Sequence, residues 1–493
     1  MTRVASRHRL YYDLLDAFRQ EGCPLCRLGK LTVARYLDIL AYENVNDPGV
    51  RDKLRAARGF CNYHAYQFLE EVRDLLGVGI IYRDVANAVV LALPTSSNGV
   101  LPRPVLSILR TGSEEASEDP GLATLLRPTG VCPTCKALDE GVSDRLHAFL
   151  EHLPEPDFRA AYEDSSGLCY PHFLEALEQV REGKQLELLV ATQEAFLARG
   201  AQDNTGAEGA RAGAAKGQAI GQPKRFGLVG SSFGERGAVA SRRQWSRAPN
   251  SSALDAAPTP RDGARTRMDL DTCPACEATR PLLTQAVEEF GRELLAGDDG
   301  GTELLDLLCN RHAWQLAQAV PTGELRPVFA AVAERRRSRL TAVVQPLLAQ
   351  ENGHGGLELP GRLPRARRLG IELARQLGPQ GPCPLCERQA ELELAAVQEY
   401  AVKLAEAEAA SAPTGEVATL CLPHLGQSCH LRLSPSLRTA LVRRQALGWS
   451  RLVGELKEYI RKQDYRFRDE PRGHEQTSPY RAVAQMAGQK GLR

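Results

Sequence analysis

Cys-Pro-x-Cys followed 33–35 residues later by Cys-x-x-His is written four times in this chain. The copies are Cys23, Cys26, Cys61 and His64; Cys132, Cys135, Cys169 and His172; Cys273, Cys276, Cys309 and His312; and Cys383, Cys386, Cys421 and His424. A single CxxC carries little information, but four copies at near-constant spacing mark an internal repeat. The pattern uses twelve of the thirteen cysteines and leaves Cys429 outside. Three cysteines per copy leave one over, which disfavours a disulfide framework.

The repeat extends beyond its cysteines. Copies one and two, aligned on the third Cys without a gap, superpose Pro48 on Pro156, Arg51 on Arg159 and Gly59 on Gly167. Copies three and four superpose Ser338-Arg339-Leu340 on Ser450-Arg451-Leu452. The chain thus reads as two related pairs of modules, each helical. Cys before Pro suits a helix start, with Cys at the N-cap and Pro at the first helical position, where its missing N–H costs nothing. Leu282, Ala286, Phe290 and Leu294 then recur every four residues, the spacing of one helix face. CxxH opens a second helix, and a longer one closes each module, as at Leu325 to Leu348 and Leu437 to Ile460. No βαβ pattern appears, so the expected fold is all-α.

Composition supports a globular chain. The 493 residues are 43% hydrophobic and 25% charged, with a net charge of +1, so no global field draws the protein to nucleic acid or an anionic membrane. The longest apolar run, Ala86 to Leu93 around one Asn, is far shorter than the ~20 residues of a spanning helix, and no secretory leader is visible. A cytoplasmic protein without membrane association is expected. Module one is placed at 1–93, a linker at 94–129, module two at 130–200, module three at 271–350, a linker at 351–381 and module four at 382–469. Residues 201–270 are Gly-, Ala-, Ser- and Arg-rich with a charge of +5 and are expected to be disordered. A solvated tether is their expected role, with weak nucleic-acid binding the sharper alternative. Residues 470–493 are expected to form a flexible tail.

Three cysteines and one histidine make a closed Cys₃His set for Zn²⁺, which takes four sulfur or nitrogen ligands in a tetrahedron. Four zinc sites are expected, one per module. Helix N-termini converging on each site would stabilise its thiolates through their partial positive charge. A thioredoxin-like centre would place CPxC after a strand, and rubredoxin-like knuckles usually put Gly after the second Cys, where this chain has Arg27, Lys136, Glu277 and Glu387. A Cys₃His-ligated iron–sulfur cluster is the alternative cofactor. No P-loop, GxGxxG, GxSxG or HExxH signature appears.

Residues 23–68 resemble a bacterial family of unknown function with a CPxC and a downstream Asn-Asp-Pro…Arg…Gly-Phe-Cys-x-x-His signature, here Asn46, Asp47, Pro48, Arg51, Gly59, Phe60, Cys61 and His64. Module two keeps Pro156, Arg159, Gly167, Cys169 and His172, whereas modules three and four keep only the ligands. The resemblance implies a bacterial source and a shared helical metal module, and it supplies no activity. The expected function is non-enzymatic: a zinc-binding scaffold that offers helical surfaces to a partner protein. A redox- or metal-responsive thiolate switch and an iron–sulfur electron carrier are the alternatives.

Overall fold

The computed structural model describes residues 9–71, 75–93, 120–205, 272–296, 301–352, 364–409, 418–467 and 469–492. Among these residues there is no strand; nineteen α-helices are joined by one π-helical turn (Leu40–Asn44) and two short 3-10 helices (Tyr465–Phe467 and His474–Thr477). In the N-terminal half they are α1 (Arg9–Phe18), α2 (Pro24–Ile39), α3 (Pro48–Ala56), α4 (Asn62–Glu71), α5 (Leu75–Ala92), α6 (Pro120–Leu126), α7 (Pro133–His152), α8 (Pro156–Glu163), α9 (Tyr170–Gln179) and α10 (Gly183–Thr205). The C-terminal half contributes α11 (Pro274–Ala296), α12 (Gly301–Leu307), α13 (Asn310–Ala319), α14 (Thr322–Asn352), α15 (Arg365–Leu377), α16 (Pro384–Ala409), α17 (Leu422–Ser428), α18 (Pro435–Arg461) and α19 (Ser478–Ala487). Each CPxC opens its helix at the proline, as expected, and the third cysteine of every copy stands directly before the CxxH helix.

The chain forms two compact units, and neither is a module nor a pair of modules. Of the described residues, unit 1 takes those within 9–33, 137–205 and 285–387, and unit 2 those within 34–136, 272–284 and 388–492. The chain crosses between units inside α2, α7, α11 and α16, the four helices that begin with CPxC. Each unit therefore combines segments of both halves. In unit 1, α10 packs along α14, and α9 packs against α15. The core there is aromatic: Phe18, Phe149, Phe158 and Tyr162 are fully enclosed, with ring centroids 4.8–6.4 Å apart. In unit 2, α5 packs against α18 and α19. Helix α5 is apolar enough and long enough to cross a membrane, but its buried face, including Val78, Ile81, Tyr82, Val85, Ala86 and Val89, is the centre of this unit.

Two expectations about connecting segments change. Residues 120–126 of the first linker form α6, which packs on α5 and α17. The expected flexible tail folds: Ser478, Ala482, Val483, Met486 and Leu492 are buried, and α19 packs on α4, α5, α17 and α18. Its polar composition hides apolar residues at 482, 483, 486 and 487, the spacing of one helix face. Helix α15 fills the second linker from Arg365 onward. Of the segment 201–270 expected to be disordered, 201–205 are instead the end of α10; residues 94–119, 206–271 and 353–363 lie outside the described residues, and with them the rest of that expectation.

Candidate metal centres

The sixteen residues of the repeat form four groups, each with its donor atoms within 4.8 Å of one another. The groups are not closed within modules. Cys23 and Cys26 meet Cys169 and His172, whereas Cys132 and Cys135 meet Cys61 and His64. The second pair does the same: Cys273 and Cys276 meet Cys421 and His424, whereas Cys383 and Cys386 meet Cys309 and His312. Each CPxC is completed by the CxxH of its partner module, which corrects the expectation of one self-contained site per module. Helix length is the reason. At 1.5 Å per residue, α2 carries the chain roughly 24 Å away from Cys23, α7 roughly 30 Å and α11 roughly 34 Å. The short helices that follow, of 9, 8 and 7 residues, cannot bring the chain back. A module's own CxxH therefore lies at the far end of its CPxC helix.

In every group the imidazole Nδ1 faces all three sulfurs at once. His172 Nδ1 lies 3.4, 3.4 and 3.2 Å from Cys23, Cys26 and Cys169 Sγ. The distances are 3.3, 3.7 and 3.3 Å for His64 with Cys61, Cys132 and Cys135. They are 3.2, 3.4 and 3.2 Å for His424 with Cys273, Cys276 and Cys421. His312 stands 3.4, 3.3 and 3.4 Å from Cys309, Cys383 and Cys386. One sulfur pair in each group is separated by 3.6–3.7 Å. A tetrahedron with metal–sulfur bonds of about 2.3 Å has sulfur–sulfur edges of about 3.8 Å. A disulfide needs about 2.05 Å, so these are four free-thiol clusters of the size that surrounds one ion.

The electrostatics point the same way. Burial opposes ionisation of Cys23, but hydrogen bonds from Cys169 and Cys26 outweigh it and hold the thiol well below its ordinary range. Cys132 and Cys273 behave alike, while Cys26, Cys135 and Cys421 are pushed up beside them. Burial works against a charge on His64, yet the Cys61 and Cys132 thiolates raise it to about 10. Three thiols crowded out of water cannot all ionise without a cation among them.

The local sequence sets each ligand's approach. Asp47 Oδ1 accepts the Val50 N–H at 2.7 Å and caps α3, behind Pro48 at its first turn. Arg51 donates to the Val45 carbonyl and the Asn46 side chain at 2.9 and 3.0 Å. Gly59 (φ +100°) and Gly167 (φ +72°) stand two residues before Cys61 and Cys169 in the left-handed region that favours glycine. The Asn-Asp-Pro…Arg…Gly signature is thus the turn that aims the third ligand. Within the Cys61-x-x-His64 motif, Asn62 was not singled out by the sequence. Its amide donates to the carbonyls of Ala487, Gly488 and Gln489 at 2.9, 3.2 and 2.8 Å and accepts from Gly491 N–H at 3.2 Å. It ties the residue after Cys61 to the C-terminal strap, and only a long-range contact could reveal that.

Surroundings differ among the groups. Glu393 Oε2 lies 3.9 Å from His424 Nε2, held by Gln389 and Gln427 at 2.6 Å each. Arg311 Nη2 lies 3.2 Å from His312 Nε2. All ligands of the Cys23 and Cys273 groups are buried, whereas Cys61, Cys135 and Cys386 are partly exposed. Cys429 is buried and its thiol faces the Leu425 carbonyl at 3.8 Å.

Residues 10–197 match a family of unknown function (DUF6062). The match spans both N-terminal modules and ends before the C-terminal pair, as the resemblance in the sequence does. The chain is also similar to the "Uncharacterized 23.9 kDa protein in xynA 3'region" of Caldicellulosiruptor sp. (strain Rt8B.4), with 23% identity over 168 residues, 34% of this chain and 70% of the relative. No solved structure matches the chain.

Proposed function

We propose that this chain is a non-enzymatic zinc-binding protein whose four Cys₃His groups are structural and whose helical surfaces serve a partner protein. The observation that carries this reading is the placement of each imidazole Nδ1 within 3.7 Å of three sulfurs, in all four groups. Three thiolates and one imidazole complete the tetrahedron that Zn²⁺ prefers, with no open position for water or substrate. A cubane cluster attaches its ligands to separate irons and would hold the sulfurs farther apart than van der Waals contact. Thirteen thiols suit a reducing compartment such as the cytoplasm. Elemental analysis of natively purified protein is expected to find four zinc ions per chain in a colourless solution. Iron with visible absorption, or fewer than one metal per chain, would overturn the reading.

A second reading is favoured by the partial exposure of Cys61, Cys135 and Cys386. Reagents reach these sulfurs first, so their two groups would be the responsive ones if the protein senses oxidants or metal supply.

A further inference from the structure

The two halves enter the structure with the same order of parts. A CPxC helix, a short helix, a CxxH helix, a long closing helix and a short connecting helix run as α2 to α6 in one half and α11 to α15 in the other. A second CPxC helix, a second CxxH helix and a second long closing helix follow as α7, α9, α10 and as α16, α17, α18. Helix α8 has no described counterpart. The exchange of ligands between modules is identical in both halves.

Two of the helix contacts between halves repeat with the halves exchanged. In unit 1, α10 of the first half packs on α14 of the second. Replacing each helix by its counterpart turns this pair into α18 on α5, the main pair of unit 2. The packing of α9 on α15 in unit 1 likewise becomes α17 on α6, which is present in unit 2. Contacts in which one element meets another and their counterparts meet in return are the mark of an isologous, twofold interface. Here it joins two segments of one chain.

We propose that the N-terminal half is built to pair with a second copy of itself, and that the C-terminal half stands in that copy's place. The half carries both members of the contact. Helix α10 offers Leu186, beside Leu340 and Val344 of α14, and α5 offers the surface at Gly79, which lies against Tyr459 and Ile460 of α18. Each of these faces is covered in this chain by the counterpart of the other. Two further observations agree. The family match covers one half and stops at residue 197. The 168 aligned residues make up 70% of the relative, so the relative is about half this chain's length. An apolar helix such as α5 must be covered in a half-length protein as well, and a second copy brings the matching helix.

The test uses the full chain with a protease site placed within residues 206–271. Cleaved, zinc-loaded protein is expected to keep the mass of the uncut chain in light scattering. Cleaved protein tagged on its N-terminal half is then mixed with untagged cleaved protein, partly unfolded in urea and refolded with zinc. Capture through the tag should recover untagged N-terminal halves, and native mass spectrometry should find a particle of two N-terminal halves with four metals. Recovery of C-terminal halves alone, or separation of the cut protein into half-mass species without denaturant, overturns the proposal. Leu340→Arg with Tyr459→Arg alters only the C-terminal half, at the α14 and α18 faces, and should raise the N–N fraction severalfold. An unchanged fraction counts against the proposal. If the variant does not fold, exchange between the unmodified halves still decides.

Discussion

At the scale of single residues, exposure divides the thiols more sharply than chemistry does. The Cys23 and Cys273 groups are sealed, while Cys61, Cys135 and Cys386 open their groups to solvent. The sequence makes the four copies look alike and predicts release of metal with no group favoured. The structure predicts an order. A slow alkylating reagent should modify Cys61, Cys135 and Cys386 before any ligand of the sealed groups, by tenfold or more in rate, as read by peptide mass spectrometry over time. Equal rates at all twelve cysteine ligands would show that exposure does not gate reactivity. The positive-φ glycines give a second residue-scale outcome. Alanine at Gly167 must hold φ +72° and meet the Phe196 ring at 2.5 Å, so Gly167→Ala is expected to cost about 1–3 kcal/mol in chemical denaturation. Residue identities at all four groups were readable in the sequence, because Cys and His at fixed spacing have few other uses. Their partners were not. The nearest CxxH in sequence is the wrong one, and only the lengths of α2, α7 and α11 reveal it.

At the scale of elements, helix starts were the most readable feature, since Cys-Pro at an N-cap leaves little choice. Helix α19 was the least readable. Its ten residues are ordinary in polarity, and it is ordered by what it covers: α4, α5, α17 and α18. The strap beyond it is pinned by Asn62, by Tyr66 Oη donating to Gly488 at 3.0 Å, and by Lys490 on Glu70 at 2.7 Å. Burial of Val483, Met486 and Leu492 contributes several kcal/mol at roughly 1.5–3 kcal/mol per side chain. Truncation after Asp469 should therefore expose α5 and loosen the Cys61 and Cys273 groups, with two of four metals lost to a mild chelator. Asn62→Ala is the gentler version. It removes four hydrogen bonds at a buried site and should cost about 1–3 kcal/mol. Full retention of four metals by the truncated chain would mean that the strap is decoration.

At the scale of the whole molecule, sequence neighbours and structural neighbours part company. The repeat suggests that damage to one group stays within its module, so that Cys61→Ser unfolds residues 1–93 and spares the C-terminal pair. The units predict another map. Cys61 shares its group with Cys132 and Cys135, and it shares unit 2 with the Cys273 group, whose helix α17 packs on α19, which in turn packs on α5. A structural zinc supplies on the order of 10 kcal/mol in small zinc-folded domains, comparable with the whole margin of about 5–15 kcal/mol of a typical domain. Cys61→Ser and Cys273→Ser should therefore raise hydrogen exchange over the same set of helices, α3 to α6 and α17 to α19. Cys23→Ser and Cys309→Ser should raise it over α8 to α10 and α12 to α15 instead. Two substitutions more than two hundred residues apart would share one fingerprint, and two in the same module would not. Fingerprints that follow the modules, with Cys23→Ser and Cys61→Ser alike, would show that the cooperative units are set by chain order and not by packing.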